Sequence, residues 1–223
     1  MILNAIGFLG THVEATALET RGTLMKPPIP SNEKTRLAKL HDYAVLDTEA
    51  EQSYDDITEL AAFICGTPVA LVSLVDENRQ WFKSHFGLDA TETHRDMAFC
   101  AHAICSPGEV LIVSDATRDA RFADNPLVVD NPNIRFYAGA PLVTPTGEAI
   151  GTLCAIDYAA GNLYDSQRQA LKALARQVVH QLEMGKALET LRDLTVREAK
   201  AQEQVQLYER EIKQLQAQLA SRP

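Results

Sequence analysis

The side chains whose types could do chemistry crowd into one short stretch. Cys100-Ala-His102 sets a thiol two residues from an imidazole, and a thiolate beside an imidazolium is an activated nucleophile. If that stretch is helical, residues i and i+2 point about 200° apart and do not face each other. Cys100 and His102 therefore read as packing or lining groups rather than as a catalytic couple. The other cysteines are Cys65, Cys105 and Cys154, all in apolar contexts with no C-x-x-C pair. That usage fits buried, reduced thiols of a cytosolic protein better than a disulfide or zinc framework. A redox couple of Cys100 with Cys105 or Cys154 is the alternative. His12, His41, His85, His94 and His102 show no metal-ligand spacing, and there is no P-loop or HExxH motif. Asp115 and Arg121 form the polar pair to watch. Asp115 before Thr117 suits a cap or loop brace, and Arg121 or Arg135 could offer a fork to an anionic group.

Composition narrows the partners. The chain has 223 residues and a formal charge of -9, with no basic stripe of the kind that grips a phosphate backbone, so a nucleic-acid partner is not expected. Its length allows one domain of about 150 residues with a core of its own. The longest apolar run, Val69 to Val75, is far short of the ~20 residues that span a bilayer, so no membrane association is expected. Met1 to Gly10 is apolar but lacks a basic n-region and a clear cleavage site. These features predict a cytoplasmic location, with residues 1–31 a disordered or extended leader.

The elements that must position these residues follow from periodicity. After Pro27-Pro28-Ile29-Pro30, the stretch Asn32 to Leu46 places Leu37, Leu40, Tyr43 and Ala44 on one helix face. Glu49 to Cys65 repeats the pattern with Tyr54, Ile57, Leu60, Ala61 and Ile64, and Gly66 stops it. Pro68 to Asp76 is β-branched and short, a buried strand, and a turn at Glu77-Asn78 leads into Arg79 to Phe86, completing a hairpin. A short helix over Asp96 to Ser106 and a strand over Val110 to Val113 come next. The segment 114–133 is dense in turn residues and long enough to carry a binding loop. Ile134 to Thr144 and Glu148 to Tyr158 form a second hairpin across Pro145-Thr146-Gly147. Asp165 and Ser166, with Gln169, read as a capping-box start to a final long helix. The fold class is α+β, with five or six mostly antiparallel strands.

From residue 184 the apolar positions Met184, Ala187, Leu191, Leu194, Ala201, Val205, Tyr208, Ile212, Leu215 and Leu219 alternate by threes and fours, interrupted at Glu198. That is an a/d seam of about five heptads. A parallel homodimer would bury it, with Leu191, Leu194, Val205, Tyr208, Ile212, Leu215 and Leu219 as the contact. Leu171, Leu174, Val178 and Leu182 belong to another register, and the change falls near Gly185, the softest point of the rod.

Taken in order, Val-Ala-Leu-Val-Ser-Leu-Val-Asp76, Gln80-Trp-Phe-Lys83, Phe99-Cys-Ala-His102, Val113-Ser-Asp-Ala-Thr117, Asp119-Ala-Arg-Phe122, Ile134 to Leu142 and Gly151 to Asp157 resemble the GAF domains that precede diguanylate cyclase and histidine kinase modules. The resemblance covers about 32–183, leaving 184–223 as a coiled-coil tail. It implies a six-stranded, mostly antiparallel sheet with the helices of both chain ends on one face. A ligand pocket would lie on the other, lined by Trp81, Phe82, Phe99, Cys100, His102, Asp115, Arg121, Phe122, Arg135 and Tyr137. The resemblance names no cofactor, because the family hosts many ligands on one scaffold.

Free methionine-(R)-sulfoxide reductases are similar GAF proteins with a cysteine where Cys100 lies. Their catalytic cysteine ahead of the strand at Ile134 has no counterpart between Phe122 and Arg135, and bilin attachment lacks its cysteine too. His180 lacks the His-Glu-x-x-x-Pro context of phosphoaccepting histidines. The chain is therefore expected not to be an enzyme. The expected function is a dimeric sensory module that binds a small molecule or partner protein, relays a change through its tail, and acts in trans on a signalling partner. The alternatives are a thiol-based redox enzyme or switch, and a ligand-free scaffold in which Trp81, Phe99 and Tyr137 collapse to fill the pocket.

Overall fold

A computed structural model describes residues 24–220; the side chains of Leu215, Gln218 and Leu219 are outside that description. Of the N-terminal segment expected over residues 1–31, residues 1–23 lie outside the described residues, and Leu24 to Pro30 forms no helix or strand.

Helix α1 (Glu33–Asp42) is shorter than its periodicity suggests. Leu40 and Tyr43 are buried, but Ala44 adopts φ 50° and Asp47 φ 60°, so the chain swings away and Ala44 is exposed rather than on the buried face. Arg36 is fully buried. It donates to Glu33 through Nε and Nη2 at 2.9 and 2.7 Å and to the Val75 carbonyl through Nη1 at 2.5 Å. Arg95 donates to the same Glu33 carboxylate at 2.5 Å and to the Asp76 carbonyl at 3.1 Å. A buried guanidinium is stable only when paired in this way.

Helix α2 (Gln52–Cys65) ends as expected at Gly66, φ 67°. There Thr67 N–H reaches back to Ala62 O at 3.1 Å, closing the turn that a left-handed glycine permits. The buried face is Tyr54, Ile57, Thr58, Ala61, Ala62 and Cys65. Leu60 was placed on that face by spacing, but it is 48% exposed and Phe63 is 83% exposed.

Strands β1 (Val69–Val75), β2 (Arg79–Phe86), β3 (Glu92–His94), β4 (Leu111–Val113), β5 (Phe136–Val143) and β6 (Ala149–Asp157) form one sheet in the order β3-β2-β1-β6-β5-β4, every pair antiparallel. The central strand β1 is buried along its length because both faces are covered. Alternation divides its side chains: Ala70, Val72 and Leu74 join a core under the helices, while Val69, Leu71 and Val75 join a second core on the far face. At Gly151 of β6 an added Cβ would lie 2.0 Å from Ser73 O of β1, so no larger residue fits between these strands.

Over that far face lie a 3-10 turn (Arg95–Met97), α3 (Phe99–Ala103) and α4 (Pro126–Val129). The single helix expected over Asp96 to Ser106 is therefore split at Ala98, which has extended backbone dihedrals. α4 and β3 carried no apolar periodicity long enough to be seen in sequence. Helix α5 (Asp165–Ala220) runs 56 residues, about 84 Å at 1.5 Å per residue. Its capping pair lies two residues earlier than the spacing suggests. Gln167 Oε1 accepts from Tyr164 N–H at 2.8 Å, whereas Ser166 and Gln169 had been paired from spacing. Gln167 Nε2 also donates to Ile64 O at 2.8 Å, so one side chain caps the start of α5 and the end of α2 together. Leu171, Ala175, Val178 and Leu182 pack under the sheet. Helical structure continues unbroken through Gly185, so the register change is not a break in the helix. Among the described residues no helix is long and apolar enough to cross a membrane.

Candidate functional site

On the sheet face away from α5, Leu71 of β1, Phe82 of β2, Tyr137 of β5 and Ile156 of β6 make the floor of a cavity of about 100 Å³, with Phe99 and Cys100 of α3 over it. The lining is otherwise aliphatic or aromatic apart from Gln80 and Thr93, with no charged side chain. Phe99 stacks on Phe122 with ring centroids 4.0 Å apart and planes 6° apart, and stands 5.2 Å from Tyr137. His102 meets Phe122 edge-on at 4.8 Å. Such offset and edge contacts add to area burial in fixing ring positions.

Beneath the aromatic layer, Thr152 Oγ1–H and Tyr137 O–H donate to Cys100 Sγ at 2.9 and 3.3 Å, and Cys154 Sγ lies 3.9 Å away. Burial opposes ionisation of Cys100, but the polar groups around its sulfur, Cys154, Ser73, Thr152 and Tyr137, outweigh it and hold the thiol below its ordinary range. Cys154 is pushed well up by its bond to Cys100 and by burial. Cys100 is thus the more acidic of two adjoining thiols, both sealed from solvent. His102 does not assist it: burial and the Arg121 charge push the imidazole down to about 4, so near neutrality there is no imidazolium to activate a thiolate.

The predicted site residues separate into four groups. Phe82, Phe99, Cys100 and Tyr137 line the cavity; His102 and Phe122 pack behind it. Trp81 lies in the core under the helices, because it neighbours Phe82 on β2 and successive strand residues face opposite ways. The polar trio is not brought to the cavity. Asp115 accepts from Thr117 N–H at 3.1 Å and from its hydroxyl at 2.6 Å, capping a 3-10 turn (Ala116–Arg118). Arg121 pairs with Asp119 rather than Asp115, through Nε at 2.9 Å and Nη2 at 2.6 Å, and lies over the Phe122 ring at 5.0 Å. Arg135 Nη1 donates to the Val128 and Ile134 carbonyls at 2.9 and 3.1 Å. The Arg121 fork is therefore already committed to Asp119, while Arg135 turns its Nη1 to backbone carbonyls.

Two residues that spacing did not single out are the cavity's polar features. Gln80 Oε1 and Thr93 Oγ1 are buried and have no hydrogen-bond partner, although Gln80 is only 6% exposed. Leaving such a group unsatisfied costs about 1–3 kcal/mol. The residues are direct partners across β2 and β3. The available sequence signal was the alternation of β2, which sets Gln80 on the Phe82 face. Among the described residues, no group of three or more His, Cys, Asp or Glu side chains gathers as a metal site would require.

A doubly layered sheet with a small cavity under α3 is the architecture of a sensory GAF fold. Residues 49–182 match the GAF domain family, and the chain belongs to it. A cyclic di-GMP phosphodiesterase of Pseudomonas aeruginosa is 46% identical over 131 residues, which make up 59% of this chain and 22% of that relative. The chain thus spans about a fifth of the relative's length. That finding overturns the expectation that the chain is not an enzyme, since the relative is named as one, and the match takes in the GAF region. The GAF domain of an Acinetobacter phosphoenolpyruvate-protein phosphotransferase is similar in fold, with TM-score 0.51 and 15% identity over 70% of this chain and 96% of that one. The blue-light absorbing GAF domain of Thermosynechococcus elongatus PixJ has TM-score 0.52 and 11% identity over 73% and 94%. At these identities they establish the fold alone.

Proposed function

We propose that residues 32–183 form a ligand-sensing GAF domain, and that residues 184–223 join two copies as a parallel coiled coil that carries the domain's state to an output. The observation that carries this reading is the apolar cavity with two unpartnered oxygens. Its floor strands β5 and β6 also press Phe136 and Leu153 into the core shared with α5. A molecule displacing Tyr137 or Ile156 on one face therefore loads the helix on the other, as a packed core transmits displacement. Met184, Leu191, Leu194, Val205, Tyr208 and Ile212 are each 53–60% exposed, and a second copy would cover them. Buried free thiols suit a reducing cytoplasm. The named relative points to cyclic di-GMP turnover as the process regulated.

The test is a matched pair of measurements on the whole chain: sedimentation velocity at micromolar concentration, and native mass spectrometry of protein purified from its source. A dimer carrying a retained small molecule is expected. A monomer without any would remove both parts of the reading. The aromatic stack of Phe99, Phe122 and Tyr137 favours a second reading, a ligand-free scaffold. A dimer whose cavity methyl resonances stay fixed under every small-molecule challenge would support that one.

A further inference from the structure

We infer that the cavity takes a small, neutral molecule with an apolar body and a single hydroxyl head, held between Gln80 and Thr93. The inference rests on the sensing role proposed above and adds the chemistry of the ligand. Size comes first. A cavity of about 100 Å³ is about two thirds of the ~150 Å³ apolar cavity that holds a six-carbon ring, so it admits a compact molecule of about four or five heavy atoms. Charge comes next. No acidic, basic or histidine side chain lines the space, so an ionised ligand would lose its hydration without gaining a counter-ion. Phosphates, carboxylates and ammonium groups are excluded on that ground.

The head group follows from the two orphaned oxygens. Gln80 Oε1 only accepts, whereas the Thr93 hydroxyl both donates and accepts. The pair stands in direct register across β2 and β3, where opposed side chains start about 5 Å apart. One ligand hydroxyl can donate to Gln80 Oε1 and accept from Thr93 O–H, satisfying both. Its alkyl part would lie against Leu71, Phe82, Leu127 and Ile156. Because Thr93 belongs to the three-residue edge strand β3, occupancy would also fasten that strand to β2.

Three probes separate these elements: 1-butanol, its isomer diethyl ether, which lacks a donor, and butyrate, which is charged. The full chain, methyl-labelled at Ile, Leu and Val, is titrated with each and followed by NMR. Saturable shifts confined to Leu71, Leu88, Leu127, Ile134 and Ile156 are expected with 1-butanol, at least tenfold weaker binding of diethyl ether, and none of butyrate. Gln80→Leu should lower 1-butanol to the affinity of the ether, and Thr93→Ser should keep the preference. Equal binding of alcohol and ether, unchanged in Gln80→Leu, overturns the head-group inference while leaving a ligand cavity in place. No saturable shift with any probe, together with a single ordered water bridging Gln80 and Thr93 in a crystal structure, overturns the inference and the cavity's sensory role alike.

Discussion

Cys105 is the partly exposed thiol of the four, while Cys65, Cys100 and Cys154 are buried. Thiol titration with a chromogenic disulfide should therefore give one reactive equivalent in the native protein, and Cys105→Ser should abolish it. Two or more fast equivalents in the native state would contradict the sealed Cys100–Cys154 pair. His102 supplies a second test. Its folded pKa of about 4 lies below the ordinary 6.5, so the unfolded chain takes the proton first. The resulting stability is full above about pH 6.5 and falls as pH drops toward 4. Urea midpoints should decline over that window, and His102→Gln should flatten the decline. Phe99 of α3 and Tyr137 of β5 were legible as site residues because they fall in the motifs that carry the resemblance to GAF domains, Phe99-Cys-Ala-His102 and Ile134 to Leu142. The sequence hid Gln80 and Thr93, since a missing hydrogen-bond partner is a property of three-dimensional surroundings. It also hid the choice of Asp119 over Asp115 by Arg121, which is decided by the local turn.

At the scale of elements, the Glu33 carboxylate fastens α1 to the β1–β2 turn through Arg36 and Arg95. Burial works against its charge, but the hydrogen bonds from Arg36 and Arg95 prevail and bring its pKa from 4.5 to about 2. A depressed carboxylate contributes fully above the unfolded value and loses its contribution as pH falls through the folded one, here between about 4.5 and 2. Solvent reaches this partly buried carboxylate and screens the pairing, so the linkage is on the order of 1–2 kcal/mol. Glu33→Gln should lower the urea midpoint at pH 7 and remove the acid limb in that window; an unchanged limb would show that Glu33 is not its source. Gly139 tests the cavity floor. An added Cβ there would sit 2.1 Å from the Tyr137 hydroxyl, so Gly139→Ala should cost about 1–3 kcal/mol by overpacking and weaken 1-butanol by displacing Tyr137. A variant of native stability and affinity would show that the ring yields freely. The two long hairpins and Gly66 were readable in sequence because alternation and a left-handed stop are local signals. β3 was not, since Glu92-Thr-His94 owes its strand to pairing with β2 alone. The end of α1 was not readable because Ala44 turns to φ 50°, a left-handed conformation that an alanine does not signal.

For the whole molecule, the decisive quantity is what covers α5 beyond Glu183. The heptad spacing was plain in the sequence, but spacing alone does not distinguish a solvated helix from half of a pair. The single chain leaves Leu191, Leu194, Val205, Tyr208 and Ile212 more than half exposed, and an isolated helix gains little stability from its own turns. Burying one large apolar side chain contributes about 1.5–3 kcal/mol, so five on each chain outweigh the side-chain ordering that association requires. Val196 is also 53% exposed, but it falls at the outermost heptad position if Leu191 and Val205 occupy a. Equivalent charges should therefore act differently at the two places. Val205→Asp should convert the dimer to monomer in sedimentation velocity, whereas Val196→Asp should leave it paired, although both cost the same helix propensity. If both variants dissociate, charge on the rod rather than the seam controls assembly; if neither does, the contact between copies lies elsewhere on the molecule. Gly185→Ala then tests the relay: it should stiffen the helix by about 1 kcal/mol without changing the mass. Any loss of coupling between 1-butanol binding and tail crosslinking would place the soft point of the rod where the two registers meet.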